Sequence, residues 1–82
     1  MKIAISFEDN NMEYYVDKLK KNGFDISING FNTLWVYNLS VVYTRKYSSL
    51  NRLVLETKSD KFETIDINIE DIEYYEIHKQ ND

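Results

Sequence analysis

Few side chains in this sequence have the chemistry that catalysis or zinc binding needs. The chain holds one histidine, His78, and no cysteine. A hydrolytic nucleophile needs an adjacent base that a third group orients. His78 stands close to the end of the sequence, where we expect a frayed, solvent-exposed tail. We therefore predict a protein that is not an enzyme and that holds no cofactor.

Three oxygen-bearing side chains, Asp66, Asn68 and Glu70, have the spacing of the first ligands of a calcium loop. Such a loop requires glycine at its sixth position and glutamate at its twelfth. Asp71 and Ile77 occupy those positions here. The isoleucines that alternate with the acids favour a strand instead, so we predict no metal site.

Acidic residues are concentrated in the last quarter of the chain. Residues 62–82 hold seven acids and one lysine, a net charge of −6, against −4 for the whole chain. Tyrosines among carboxylates suit the binding of a basic protein. The predicted partner-binding surface consists of Glu63, Asp66, Glu70, Asp71, Glu73, Tyr74, Tyr75 and Glu76. Alternatively, these acids keep an edge strand soluble.

A second cluster, around one predicted hairpin, combines cationic and aromatic groups. It consists of Arg45, Lys46, Tyr47 and Arg52. Single-stranded nucleic acid is bound by such combinations. Nucleic-acid-binding domains usually carry a clear excess of basic residues, which this chain lacks. Direct nucleic-acid binding is therefore the alternative function.

With 82 residues, of which 43% are hydrophobic, the chain can form one core, and we predict a single domain over residues 1–82. No stretch approaches the roughly 20 apolar residues that span a bilayer. The N-terminal residues do not resemble a signal peptide. Together with the absence of cysteine, this predicts a cytoplasmic protein with no membrane partner.

The first elements follow from changes in hydrophobic period. Alternating apolar residues predict a strand over residues 2–7. Helical spacing predicts a helix over residues 11–22 that Asn22-Gly23 ends. Asp9 and Asn10 are both candidate N-caps, and Glu13 follows Asn10 at the spacing of a capping box. The apolar stripe of that helix is formed by Met12, Tyr15, Val16 and Leu19.

Asn29-Gly30 predicts a hairpin with a two-residue turn that places Ile28 opposite Phe31. In that register one face of the hairpin faces the core, and Leu34 and Val36 point to the other side. The predicted core face consists of Phe24, Ile26, Ile28, Phe31 and Trp35.

Further strands are predicted over 41–47, 52–57 and 62–69, with turns at Ser48-Ser49 and over 58–61. For 71–80 a strand is favoured over a helix. The predicted class is α+β, in the order β-α-β-β-β-β-β. One helix packs on a mostly antiparallel sheet of five to six strands, with a small, partly open barrel as the alternative closure.

Two resemblances refine the functional prediction. The helix-then-strands order after residue 10 and the hydrophobic rhythm of Ile65 to Ile77 resemble Sm-like barrels, although the strand over 2–7 departs from them. That likeness implies nucleic-acid binding.

The small, acidic, tyrosine-rich composition resembles inhibitors carried by phages and mobile elements, including anti-CRISPR proteins. It implies a non-catalytic protein that occupies the basic, nucleic-acid-binding groove of a partner such as a nucleic-acid-handling enzyme. Self-association into a homo-oligomer through edge strands is the third alternative.

Overall fold

The computed structural model describes residues 1–58 and 63–79. These residues form one α-helix and seven strands. The class is α+β, as predicted. The elements are β1 (Lys2–Phe7), α1 (Met12–Lys21), β2 (Asp25–Asn29), β3 (Thr33–Tyr37), β4 (Leu39–Tyr47), β5 (Leu50–Thr57), β6 (Thr64–Asn68) and β7 (Ile72–His78). A short 3-10 helix, Ile69–Asp71, precedes β7. Residues 59–61 of the predicted turn, residue 62 of the predicted strand and residue 80 of the last one lie outside the described ranges.

The strands form two antiparallel sheets, so the prediction of one sheet with five to six strands was wrong. One sheet has the order β2-β3-β1-β7 and the other has the order β4-β5-β6. The break lies at Asn38, the one residue between β3 and β4, whose φ of 58° redirects the chain. Leu39 and Met1 exchange two backbone hydrogen bonds of 2.9 and 3.0 Å at this corner. Apolar residues lie on both sides of Asn38, so the hydrophobic pattern of the sequence does not reveal that one sheet ends there and the other begins.

Helix α1 ends as predicted but begins differently. Gly23 has a φ of 80°, and its N–H donates to Lys20 O while that of Phe24 donates to Leu19 O. This is the Schellman arrangement that the Asn22-Gly23 pair predicted. At the start, Asn11 is the N-cap residue in a right-handed helical conformation, and its side chain makes no capping bond. The predicted capping by Asn10 with Glu13 was therefore wrong.

The hairpin of β2 and β3 has a different register from the predicted one. Asn29 pairs with Thr33 and Ile28 with Leu34, around a turn of three residues that starts at Gly30. Relative to the prediction β3 is shifted by three residues, and an odd shift exchanges the faces of a strand.

As a result of that shift, Leu34 and Val36 share the inner face with Ile26 and are completely buried, whereas Trp35 lies on the outer face. Phe31, in the turn, is 88% exposed. Of the predicted core face, Phe24 alone is fully buried and Ile26 is half-buried. The predicted core face is therefore correct for β2 and wrong for β3, where Leu34 and Val36 replace Trp35 in the core.

The predictions for the second half of the chain are confirmed for the most part. Ser48 and Ser49 form the turn between β4 and β5, with Tyr47 opposite Leu50. Thr64, Asp66 and Asn68 of β6 alternate with the buried Ile65 and Ile67. The segment after Asp71 is a strand, β7, which pairs with β1.

One core joins both sheets and the helix. Alternate residues of β1, β3, β5 and β6 face it, and α1 contributes the predicted stripe. The side chains that alternate with them on the four-stranded sheet face outward and remain half-buried or exposed. This outer face carries the side chains with the most binding potential.

Candidate binding face

The outer face of the four-stranded sheet is lined by aromatic and polar side chains. Trp35 and Glu76 are the cross-strand neighbours of Ala4, on its two sides. Lys2 lies opposite His78. We call this surface the aromatic face, and its members are Lys2, Ser27, Trp35, Tyr37, Tyr74, Glu76 and His78.

Three rings and one cation form the centre of the aromatic face. Trp35 and Tyr37 stack with their centroids 6.3 Å apart and their planes 16° apart. The His78 ring lies 5.1 Å from the Trp35 ring. Lys2 Nζ lies 5.2 Å from the centroid of Trp35 and 5.9 Å from that of Tyr37, within the range of cation–π attraction. These contacts hold the rings in place before any ligand arrives, which lowers the entropic cost of binding.

Hydrogen bonds fix the side chains of the aromatic face along β7. The Tyr74 hydroxyl donates to Glu76 Oε2 at 2.8 Å, and His78 Nε2 lies 3.0 Å from Glu76 Oε1. At the other edge of the aromatic face, on β2 and β3, the hydroxyls of Ser27 and Tyr37 are hydrogen-bonded at 2.9 Å. The face is thus an ordered row from Ser27 on β2 to Tyr74 on β7.

The chemistry of these groups suits binding. The hydrogen bond to Glu76, and then the charge of that carboxylate, raise the pKa of the Tyr74 hydroxyl. A phenol that retains its proton is a hydrogen-bond donor, not a base. Tryptophan and tyrosine bury a large area with few rotatable bonds, and they are the residues most enriched in the energetic centres of protein interfaces.

The predicted acidic and tyrosine surface is divided in the structure. Tyr74 and Glu76 lie on the aromatic face, but Tyr75 between them turns inward and packs against the core. Asp66 lies on the outer side of β6, in the other sheet, paired with Val54. Neighbouring residues of a strand point to opposite sides, so a continuous acidic run does not form a continuous acidic surface.

The other four predicted partner-binding residues lie at or beyond the ends of the strands. Glu63 precedes β6 and is half-buried, and Glu70 is exposed on the 3-10 helix. Glu73 is exposed at an irregularity in β7, where the pairing with β1 skips one residue. The carboxylate of Asp71 accepts a 2.6 Å hydrogen bond from Tyr15 and is engaged within the fold.

The alternative nucleic-acid cluster is also divided. Arg45 and Arg52 lie directly opposite each other on the outer face of the three-stranded sheet. Lys46 pairs with Asn51, so its side chain leaves from the other face. Tyr47 is the last residue of β4. Arg45 and Arg52 therefore share a face of the sheet, and Lys46 lies on the other one.

Sequence reasoning missed Lys2, Trp35, Tyr37 and His78 as binding candidates. Trp35 stands between two apolar residues, so the pattern leaves open which of the three faces the core. His78 was expected in a frayed tail, but it is the last residue of β7 and lies half-buried against Trp35. The signal that identifies it is the period of two that aligns His78 with Tyr74 and Glu76.

Across residues 1–58 and 63–79, no three acidic or histidine side chains come together as a metal-binding group. The helix that the structure describes is too short and too polar to cross a membrane. Comparison of the chain with models of protein families, with curated proteins and with solved structures finds no match.

Proposed function

We propose that this protein is a non-catalytic protein-binding module and that its contact surface is the aromatic face. The observation that carries the proposal is the ordered stack of Trp35 on Tyr37, held by Lys2 and His78. An interface draws most of its binding energy from a few such anchors, which the surrounding contacts shield from water.

The charge of the aromatic face favours a protein ligand over a nucleic acid. The face carries one lysine, Lys2, and one histidine, His78. Two acids lie on it or close to it: Glu76, and Asp25, which pairs with Tyr37. Proteins that hold a phosphate backbone use several lysines and arginines, each of which displaces a counterion. A mixed face on a chain with a net charge of −4 provides little of that attraction.

The partner we propose is basic. Glu76 lies on the aromatic face, and the exposed Asp25 lies at its other edge, where it pairs with Tyr37. Arginines or lysines of a partner placed opposite these acids would speed the encounter and fix its orientation. A nucleic-acid-binding groove offers such cations together with flat apolar surfaces. An inhibitor of the type that phages and mobile elements carry is the specific form of this proposal.

The second candidate function is phosphate or nucleic-acid binding on the three-stranded sheet. The observation in its favour is the cross-strand pair of Arg45 and Arg52, which places two guanidinium groups on the same face of the sheet, and arginines are the groups that hold phosphates. The exposed Tyr43 lies on the same face, since it pairs with Val54 two positions along.

The experiment uses the fluorescence of Trp35, which is the single tryptophan of the chain. An arginine-rich peptide and an oligothymidylate are each titrated into the protein while the emission is recorded. We expect the peptide to change the emission of the wild type with saturation, and the variant Glu76→Lys to lose that response. Glu56→Lys, which changes the net charge equally on the three-stranded sheet and outside the aromatic face, should respond like the wild type.

Two results would reject the protein-binding proposal. One is a peptide titration that Glu76→Lys and the wild type follow equally. The other is oligothymidylate binding that falls steeply with salt and is lost in Arg52→Glu, which would favour the second candidate.

A further inference from the structure

A groove of about 580 Å³ lies between α1 and the turn that joins β2 to β3, on a part of the surface separate from the aromatic face. Met12 and Val16 of the helix line it, and Ile28 and Phe31 of the hairpin form its other wall. Ile28 is 51% exposed and Phe31 is 88% exposed. Two large, exposed apolar side chains at the edge of a groove with a mixed polar and apolar lining are the features of a contact surface.

The rim of this groove carries charges of both signs in a defined order. Glu13 lies in the first turn of α1, Asp17 follows one helical turn later, and Lys20 lies in the last turn. In the described part of the chain none of the three makes an ion pair. Glu13 and Lys20 complement each other across a two-fold axis. If a second copy of α1 runs antiparallel, with Val16 and Asp17 near that axis, Glu13 of each copy lies beside Lys20 of the other. The two Asp17 side chains then approach each other, so the two Glu13–Lys20 pairs must outweigh their repulsion.

We propose that the protein forms a two-fold homodimer through this groove, with the α1 helices antiparallel and Phe31 of each copy covering the groove of the other. A two-fold interface uses the same patch on both copies, and the patch must therefore complement itself in shape and in charge. The projecting Phe31 beside a groove that Met12 and Val16 line provides the complementary shape, and the Glu13–Lys20 pairs provide the complementary charge. The aromatic face stays free in this dimer, which therefore presents two copies of it.

The test is sedimentation velocity over a concentration series, from ~10 µM to ~1 mM, the range in which interfaces below the standard size dissociate. We expect the mass of the wild type to rise from 9.8 kDa toward twice that value. Phe31→Ser should raise the dissociation constant about tenfold or more, because it removes the central apolar contact. Tyr14→Ser is the matched control, since Tyr14 is exposed on the same helix and does not line the groove.

A charge exchange makes the test specific for the antiparallel arrangement. Glu13→Lys alone places like charges beside each other and should weaken the dimer, whereas Glu13→Lys combined with Lys20→Glu should restore it. A wild type that stays at 9.8 kDa throughout the series overturns the proposal. So does a dimer that Phe31→Ser leaves unchanged, or a double variant that dissociates like Glu13→Lys. Because the aromatic face takes no part, a negative result here leaves the Trp35 experiment unaffected.

Discussion

The hydroxyl of Tyr15 donates a 2.6 Å hydrogen bond to Asp71, a residue 56 positions away in the chain. The same oxygen accepts the backbone N–H of Asn68 at 3.3 Å, and the Tyr15 ring stacks on Phe7 with the centroids 5.3 Å apart. Asn68 and Asp71 flank the point where the chain passes from the three-stranded sheet to the four-stranded one. Tyr15 thus joins α1, β1 and the connection between the two sheets.

Tyr15→Phe is expected to destabilise the fold while keeping the ring in the core. The substitution leaves a partly buried carboxylate and an amide N–H without this partner, and bonds to charged groups contribute about 1.5–3 kcal/mol. Urea unfolding followed by circular dichroism measures the loss. Tyr14→Phe, whose hydroxyl lies at an exposed position, should leave the midpoint unchanged. An equal effect of both substitutions would contradict the role assigned to the bond.

The contribution of Tyr15 also depends on pH. Burial first, and then the hydrogen bond to Asp71, raise the pKa of Tyr15 from 10.0 to about 12. The folded state therefore holds this proton more tightly than the unfolded state does. The resulting stabilisation is complete below pH 10 and is lost as the pH rises toward 12, by up to about 2–3 kcal/mol.

The measurement for this pH dependence is the difference in unfolding free energy between the wild type and Tyr15→Phe. Taking the difference removes the titration of the other tyrosines and of the lysines. The difference should be constant from pH 7 to pH 9 and should decrease above pH 10. A difference that grows above pH 10 would mean that the folded state favours the ionised phenol.

The local elements could be predicted from the sequence because each has its own signal. The stripe of α1, the glycine that ends it and the alternation around Ile65 and Ile67 depend on neighbouring residues alone. The division into two sheets depends on the conformation of Asn38, for which the sequence has no comparably strong signal.

The candidate site was harder to predict because it depends on register. Trp35 reaches the outer face only because the β2–β3 turn has three residues, and Asn29-Gly30 favours a turn of two. Tyr74 and Glu76 were identified as partner-binding residues from their types alone. Their neighbours on the aromatic face come from β1 and β3, and no local pattern links strands so far apart in the chain.

Gly23 allows a direct test of the helix end. Its φ of 80° lies in the left-handed region, and a Cβ there would meet no atom within 4 Å. Gly23→Ala should therefore lower the free energy of unfolding by about 1 kcal/mol through backbone strain alone. Gly23→Asn should lower it less, since asparagine adopts this conformation more readily. Thermal unfolding of both variants decides the matter, and a neutral Gly23→Ala would contradict the Schellman end.

Adjacent residues of β3 provide the sharpest test of the register. Leu34 is completely buried in the core, so Leu34→Ala should lower the free energy of unfolding by about 2–5 kcal/mol. Trp35 is half-buried on the aromatic face, and Trp35→Ala should lower it less while abolishing peptide binding. Urea unfolding by far-ultraviolet circular dichroism compares the two without relying on the tryptophan. In the register with a two-residue turn Trp35 would face the core, so a larger loss for Trp35→Ala than for Leu34→Ala would favour that register. It would also remove the structural basis of the aromatic face, because the Trp35 ring would then lie inside the protein.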